Sequence, residues 1–277
     1  MIKSSVVLYA LLLAGCIRPA DKKADVVTRV YSNAVKDSFS IFISLPDDYA
    51  TQPGKKYPVI YMLDANLYFD IFAVILKKYS EVGLLSPAIL VGIGYKDFPT
   101  MDSLRNRDYT YPVAIPEYEM SISGQADKFL SFMKNELLPD IDKRYQVDKH
   151  QRILAGHSLG GYFALYALQQ QLASGDSLFK GYVAASPSLH YNHYYLLNAL
   201  GHQASRRIGN TKVYTVFGGL ENSEKEADGL TTDSIFQTLA ISLKTNITFK
   251  GESYSNLDHM DTQVPTFIKG LQWILPE

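Results

Sequence analysis

Only one cysteine, Cys16, occurs among the 277 residues. A single thiol excludes a disulfide framework and a cysteine-based metal cluster. An excess of charge of one sign is also missing. The 27 Lys and Arg residues against 28 Asp and Glu leave a net charge of −1, spread along the chain rather than gathered in blocks. The chain therefore has no basic footprint for nucleic acid. It contains neither an internal repeat nor a low-complexity block, so repeat arrays and disordered tracts do not apply. The apolar run over residues 6–14 is well short of the roughly 18 residues that a membrane-spanning helix needs. What the chain does have is apolar content: 47% of its residues are hydrophobic, ample for one large α/β domain or two small ones.

The N-terminus has the form of a targeting segment. Lys3 supplies the positive start, and the short apolar run ends at Leu13-Ala14-Gly15-Cys16. This resembles the bacterial lipobox, in which cleavage before the cysteine leaves it to carry lipid. The other reading is a plain secretory signal with an incidental cysteine. Residues 1–15 are thus expected to be a lipoprotein signal peptide and 16–28 a polar tether. The functional domain is expected over 29–277, exported and held through a lipid on Cys16 at the periplasmic or cell-surface face of a bacterial membrane.

Residues 26–31 and 39–45 alternate apolar and polar side chains, as a half-exposed antiparallel hairpin does. Residues 58–63 and 88–93 are unbroken apolar runs, the mark of parallel strands covered on both faces. Further strands are predicted over 152–155, 181–185, 212–217 and 248–254. Helical patterns fall at 67–79, 126–142, 161–168, 194–207, 233–244 and 262–275. Strands alternating with helices after an antiparallel start give an α/β class and the α/β-hydrolase order, a mostly parallel sheet with helices on both faces. One segment, 95–124, shows little periodicity and is rich in polar, aromatic and proline residues. It leaves the end of a predicted core strand, where open α/β sheets bind ligands, and reads as a lid or binding loop.

The chemistry is concentrated in Gly156-His157-Ser158-Leu159-Gly160, a G-x-S-x-G between a predicted strand and a predicted helix. A sharp glycine-flanked turn there holds a serine Oγ out over the sheet. A serine hydroxyl is a poor nucleophile until a histidine takes its proton and a carboxylate fixes that histidine. In this fold the three follow in the order serine, acid, histidine. His259 lies after the last predicted strand and before the last helix, the place of the base, while His157 is expected to be packed under the turn. His190 and His193 follow a strand end and are placed to line a pocket. The acid should follow the strand over 212–217, where Glu221 is the first acidic residue. Glu224, Glu226, Asp228 and Asp258 lie close by as alternatives. For the oxyanion, the backbone N–H of Leu159 is one donor, and a second comes from Asp64-Ala65-Asn66, with Asn66 preferred over Ala65.

These residues resemble the putative-esterase family of α/β hydrolases, which holds esterase D, feruloyl and acetylxylan esterases, mycolyltransferases and ferric-siderophore esterases. The nearest likeness is to the siderophore-esterase branch. It is carried by Tyr61-Met62-Leu63-Asp64-Ala65-Asn66, Arg107-Asp108-Tyr109-Thr110-Tyr111-Pro112, Ile153 through Gly161, and Ala185-Ser186-Pro187-Ser188-Leu189. Ala65 stands where the family usually has glycine, and Tyr111 interrupts a Tyr-Thr-Pro run. The resemblance implies serine esterase chemistry through an acyl-enzyme on a small-molecule ester of siderophore type, with no metal and no cofactor. Arg105 and Arg107 are then expected to pair with a negatively charged substrate, and Tyr109, with Tyr95 and Tyr111, to stack on its rings. A carbohydrate-linked acyl or feruloyl esterase, acyl transfer to an alcohol, and a surface-anchored binding protein on an inactive hydrolase scaffold are the competing readings.

Overall fold

Eight strands form one sheet in the order β1-β2-β4-β3-β5-β6-β7-β8. They are β1 (Val26–Ser32), β2 (Asp37–Ser44), β3 (Tyr57–Met62), β4 (Ile89–Gly94), β5 (Val147–His157), β6 (Gly181–Ala185), β7 (Lys212–Gly218) and β8 (Thr248–Tyr254). The computed structural model describes residues 26–202, 210–224, 229–243 and 247–275. The first hairpin is antiparallel and joins the sheet through β2 against β4; every pairing from β4 to β8 is parallel. The fold class, a mostly parallel sheet with an antiparallel N-terminal hairpin, agrees with the sequence reading. The domain begins earlier than residue 29, however: β1 starts at Val26, because its ladder with β2 runs from Val26 opposite Ile43. The signal peptide and Cys16 lie outside the described residues.

Helices cover both faces: α1 (Ala65–Glu81), α2 (Phe98–Tyr109), α3 (Ala126–Phe132), α4 (Leu138–Arg144), α5 (Leu159–Ser174), α6 (Tyr191–Gly201), α7 (Thr232–Leu243) and α8 (Gln263–Ile274). Alternate residues of the buried strands feed two cores, which is why those strands read as unbroken apolar runs. On one side Tyr61, Val91, Leu154 and Tyr182 meet Phe129, Phe163 and Leu165. On the other, Ile60, Met62, Ile153 and Val183 meet Phe72 of α1 and Phe267 of α8, whose rings lie 4.8 Å apart. The helical pattern over 126–142 is one continuous stretch with a π turn at Met133–Leu137 between α3 and α4. Pro139 of α4, which brings no N–H to the ladder, follows directly.

The segment expected to be a loop over 95–124 contains α2. Asp97 caps it, its Oδ1 accepting from the Thr100 N–H at 2.9 Å, with Pro99 in the first turn. The helix escapes a periodicity search because only Met101, Asp108 and Tyr109 are buried along it.

The register places the carboxyl ends of the central strands side by side. Met62 lies opposite Ala155, His157 opposite Ala185, Ala185 opposite Val216 and Gly218 opposite Tyr254. The connections leaving β3, β5, β6, β7 and β8 therefore gather at one edge, the place where open α/β sheets build their sites.

Candidate active site

Ser158 is the single residue between β5 and α5 and has φ 57°, ψ −120°. Such a conformation is costly for a residue with a Cβ and persists only where the surroundings hold it. The surroundings here are tight. Ser158 N donates to Ala185 O at 3.0 Å and Ser158 O accepts from Tyr162 N at 2.9 Å. A Cβ on Gly156 would stand 2.2 Å from the carbonyl oxygen of Gly160, so strand and helix can cross this closely only with glycine there. Ser158 Oγ lies 3.2 Å from Ser188 Oγ.

His259 arrives on the connection between β8 and α8. Its Nδ1 lies 3.0 Å from Glu221 Oε2. Glu221 is brought there by the turn that follows β7. At Gly218 and Gly219 the backbone runs against the His259 loop: a Cβ on Gly218 would stand 2.4 Å from Leu257 O. The other carboxylate oxygen, Oε1, accepts from Ser186 Oγ at 2.6 Å and from the Gly218 N–H. Burial alone pushes the Glu221 carboxyl up. The hydrogen bonds from His259, Ser186 and Gly218 outweigh it and hold the group below the usual carboxylate range. An ionised Glu221 fixes the proton of His259 on Nδ1 and leaves Nε2 as an acceptor. Asp258 does not compete for this position, because its Oδ1 accepts from the N–H groups of Met260 and Asp261. The side chain of Glu224, and all of Glu226 and Asp228, lie outside the described residues.

Two helix starts converge beside Ser158. Leu159 opens α5 and Ala65 opens α1, so the N–H groups of Leu159, Ala65 and Asn66 belong to first turns that lack intrahelical acceptors. The Asn66 side chain faces away from this gap: Nδ2 donates to Tyr95 O at 3.0 Å and Oδ1 accepts from Tyr95 N at 2.7 Å. Asp64 precedes them in left-handed conformation, φ 53°. A Cβ on Gly160 would stand 3.2 Å from Asp64 Oδ2, which places the two starts in contact.

A strained serine at a strand–helix junction, a carboxylate–histidine pair and two free helix starts at one sheet edge are a hydrolase constellation, and the comparisons agree. The family described as "Putative esterase" matches residues 32–238. The ferri-bacillibactin esterase BesA of Bacillus subtilis is 31% identical over 252 residues, covering 86% of this chain and 85% of that protein. The chain belongs to the putative esterase family. The apo-salmochelin esterase of Escherichia coli is 31% identical over a shorter stretch of 160 residues, 54% of this chain and 47% of that protein. The crystal structure of the BES protein from Bacillus cereus superposes with a TM-score of 0.74 at 26% identity, covering 99% of this chain and 100% of that one. The protein is accordingly a serine-type ester hydrolase.

Four residues expected to meet the substrate of this esterase are placed elsewhere by the structure. Arg105 faces inward: Nε and Nη2 grip the two oxygens of Asp64 at 3.0 and 2.8 Å, and Nη2 reaches His157 O at 3.4 Å. Arg107 is held at 2.8 and 3.0 Å by the wholly buried Asp108 and at 2.9 Å by Asp37. Both guanidiniums brace the frame behind the site instead of meeting a charged substrate. Tyr109 is fully buried, packs between Phe129 and Phe163, and accepts from the Asp64 N–H. Tyr95 is equally buried and bonds Asp108. The aromatic surface near the site is instead Tyr111, which packs on Tyr166 and Tyr195, the last being well exposed.

The segment around Tyr111 is a fixed wall. Tyr162 and Tyr191 hydroxyls donate to the carbonyls of Tyr111 and Pro112, and Tyr118 donates to His190 O. Asn192 clamps the backbone of Val113 and Ile115 with its amide. Asn192, His193 and Tyr194 all have positive φ, so the helix expected from residue 194 opens with a left-handed turn held by these bonds; residues 203–207 of that expectation lie outside the described residues. Ser186, Ser188 and Thr262 were not singled out as site residues in the sequence. The available signal was Ser186-Pro187-Ser188 directly after a buried strand.

Proposed function

We propose that this esterase cleaves siderophore-type esters through an acyl-enzyme formed on Ser158. His259 Nε2 takes the hydroxyl proton as Oγ attacks the ester carbonyl, and Glu221 supports the imidazolium that forms. The N–H groups of Leu159 and of Asn66 or Ala65 receive the oxyanion. His259 then protonates the leaving alcohol, and water repeats the sequence to free the acid. Among the described residues no hydrogen bond joins Ser158 to His259; the serine is paired with Ser188. Catalytic hydrogen bonds of this kind commonly tighten only with substrate bound. The observation that carries the reading is the Glu221–His259 pair at 3.0 Å beside a serine of φ 57°.

The substrate class rests on the relatives that act on ferri-bacillibactin and apo-salmochelin, and the exposed Tyr195–Tyr111 surface suits a ligand with flat rings. The test is hydrolysis of p-nitrophenyl esters and of ferric and iron-free bacillibactin and salmochelin by residues 25–277, beside Ser158→Ala. Turnover lost in the variant is expected, with siderophore esters preferred over simple acyl esters. Equal siderophore cleavage by both proteins would remove Ser158 from the reaction, and indifference to siderophore esters would remove the substrate assignment. We further propose a lipid on Cys16 as the anchor. Full-length protein expressed in a bacterial host should partition into the detergent phase of Triton X-114 and Cys16→Ser into the aqueous phase; identical partitioning would refute it.

A further inference from the structure

His157 is a buried titratable group that the reaction just described does not use. It ends β5 immediately before Ser158, is 4% exposed, and has its ring centroid 4.9 Å from that of His259. Its Nε2 lies 2.7 Å from the main-chain carbonyl oxygen of His259. A carbonyl oxygen can only accept, so Nε2 carries the proton. Around it face His259, Asp64 and Arg105, and burial pushes its imidazole down to about 4, so the ring is neutral at neutral pH.

Ser186 Oγ donates to Glu221 Oε1 at 2.6 Å. Thr262 Oγ1 has one proton and two acceptors within reach, Ser186 Oγ at 2.7 Å and His259 O at 3.1 Å. The shorter contact completes a chain from Thr262 through Ser186 to the carboxylate, in which each bond polarises the next. His259 O is then left to His157. The imidazole of His259 is thus oriented at Nδ1 by Glu221, and its main chain is held by the residue covalently next to the nucleophile.

We infer that His157 is a positioning residue, which sets the distance between His259 and Ser158 by donating its Nε2–H to the His259 carbonyl. A loop base tied to the nucleophile's own strand cannot drift from it without breaking this bond. The inference rests on the reading of Ser158 and His259 as nucleophile and base.

The test compares wild type, His157→Phe, His157→Gln and Ser158→Ala in steady-state hydrolysis of p-nitrophenyl butyrate and in the rate of fluorophosphonate labelling. Phenylalanine fills the space and cannot donate; the glutamine amide nitrogen reaches the same place and can. Since small misplacements of catalytic groups cost up to about a hundredfold in rate, His157→Phe should lose roughly 10- to 100-fold in kcat and in labelling rate. KM should stay within about twofold, because no substrate contact is removed. His157→Gln should recover most of the loss. A folded His157→Phe enzyme with at least about half the wild-type kcat, or a His157→Gln enzyme as slow as His157→Phe, overturns the inference. Nitrogen-15 histidine NMR of wild type gives a second reading that does not depend on variants at 157 folding: a neutral Nε2–H tautomer at pH 7 supports it, and an Nδ1–H tautomer overturns it. Wild type that neither turns over nor labels would instead sink the catalytic reading of Ser158, a result distinct from either.

Discussion

Glu221→Gln is the substitution that most directly probes the proposed pairing of Glu221 with His259 as acid and base. It keeps the shape and removes the charge. In the native site both carboxylate oxygens accept: Oε2 from His259 Nδ1 and Oε1 from Ser186 and Gly218. Glutamine has only one accepting end. If its NH2 faces Ser186 and the Gly218 N–H, donors oppose donors in a half-buried place. If it faces His259, the imidazole must leave Nδ1 bare and carry its proton on Nε2, the atom required to accept from Ser158. The charge effect adds to the tautomer effect. At 3.0 Å, an imidazolium and a carboxylate in an effective dielectric of about 20 attract by about 5 kcal/mol. His259 is one-third exposed, and solvent screening reduces this to about 3 kcal/mol. At about 1.4 kcal/mol per decade, kcat should fall roughly 100- to 1000-fold. KM should move less than about threefold, because Glu221 sits behind the base and no substrate contact is removed. Initial rates on p-nitrophenyl butyrate, beside a thermal melt that shows the variant folded, measure this. A folded Glu221→Gln enzyme keeping a third or more of wild-type kcat would refute the assignment of Glu221 as the supporting acid.

Arg105→Ala should cost about 3–5 kcal/mol, because it strands the Asp64 carboxylate, whose side chain is only 4% exposed. At this chain length that lowers Tm by roughly 10 °C, and a melt shifted by less than a couple of degrees would show that Asp64 does not need its partner. Gly156→Ala should leave no soluble folded enzyme, since the added methyl meets the Gly160 carbonyl oxygen at 2.2 Å; Gly160→Ala, with 3.2 Å to Asp64 Oδ2, should be far milder, and equal behaviour of the two would contradict the crossing geometry. Stability should also fall with acid through His157. Its folded value of about 4 lies below the unperturbed 6.5, so between those pH values the unfolded chain binds a proton that the folded one refuses. The loss should begin near pH 6.5, grow to about 3 kcal/mol near pH 4 and level off below. Denaturant titrations of wild type and His157→Phe at pH 7, 5.5 and 4 test it, and parallel slopes for the two proteins would refute it.

The strands could be read in advance because each carries its own signal. Residues 58–63 and 88–93 are apolar on both faces, and the structure buries them on both faces. The elbow was readable for the same reason, since strand, glycine, serine, glycine and helix are contiguous. Helix α2 was not, because its inward side includes a charged residue, Asp108, paired with Arg107 and accepting from the Tyr95 hydroxyl. A hydrophobic pattern cannot register a helix that buries an ion pair. Its cap, Asp97 three residues before Thr100, was the local signal available.

The arginines show where reasoning from residue type runs out. On a segment without apolar rhythm, Arg105 and Arg107 read as free charge: Asp64 and Asp37 lie 41 and 70 residues away, and nothing in the sequence marks the adjacent Asp108 as the buried carboxylate that Arg107 also grips. Only the register of β3 against β5 and β2 against β4 brings those carboxylates to the same corner. Once paired, the arginines change from candidates for binding into reasons why the site is rigid. Arg105 holds Asp64 in its left-handed turn, and that turn starts α1 with its N–H groups facing the start of α5. The same guanidinium touches the carbonyl of His157, whose ring holds His259. The loop after β3, the strand that ends at His157 and the loop that carries His259 are therefore tied at one buried ion pair. A lysine at 105 would carry the charge and lose the planar fork that meets both Asp64 oxygens and the His157 carbonyl together. Arg105→Lys should consequently damage turnover more than stability: kcat should fall at least about tenfold while Tm stays closer to wild type than that of Arg105→Ala. If kcat is kept, the fork is not what holds the oxyanion loop in place.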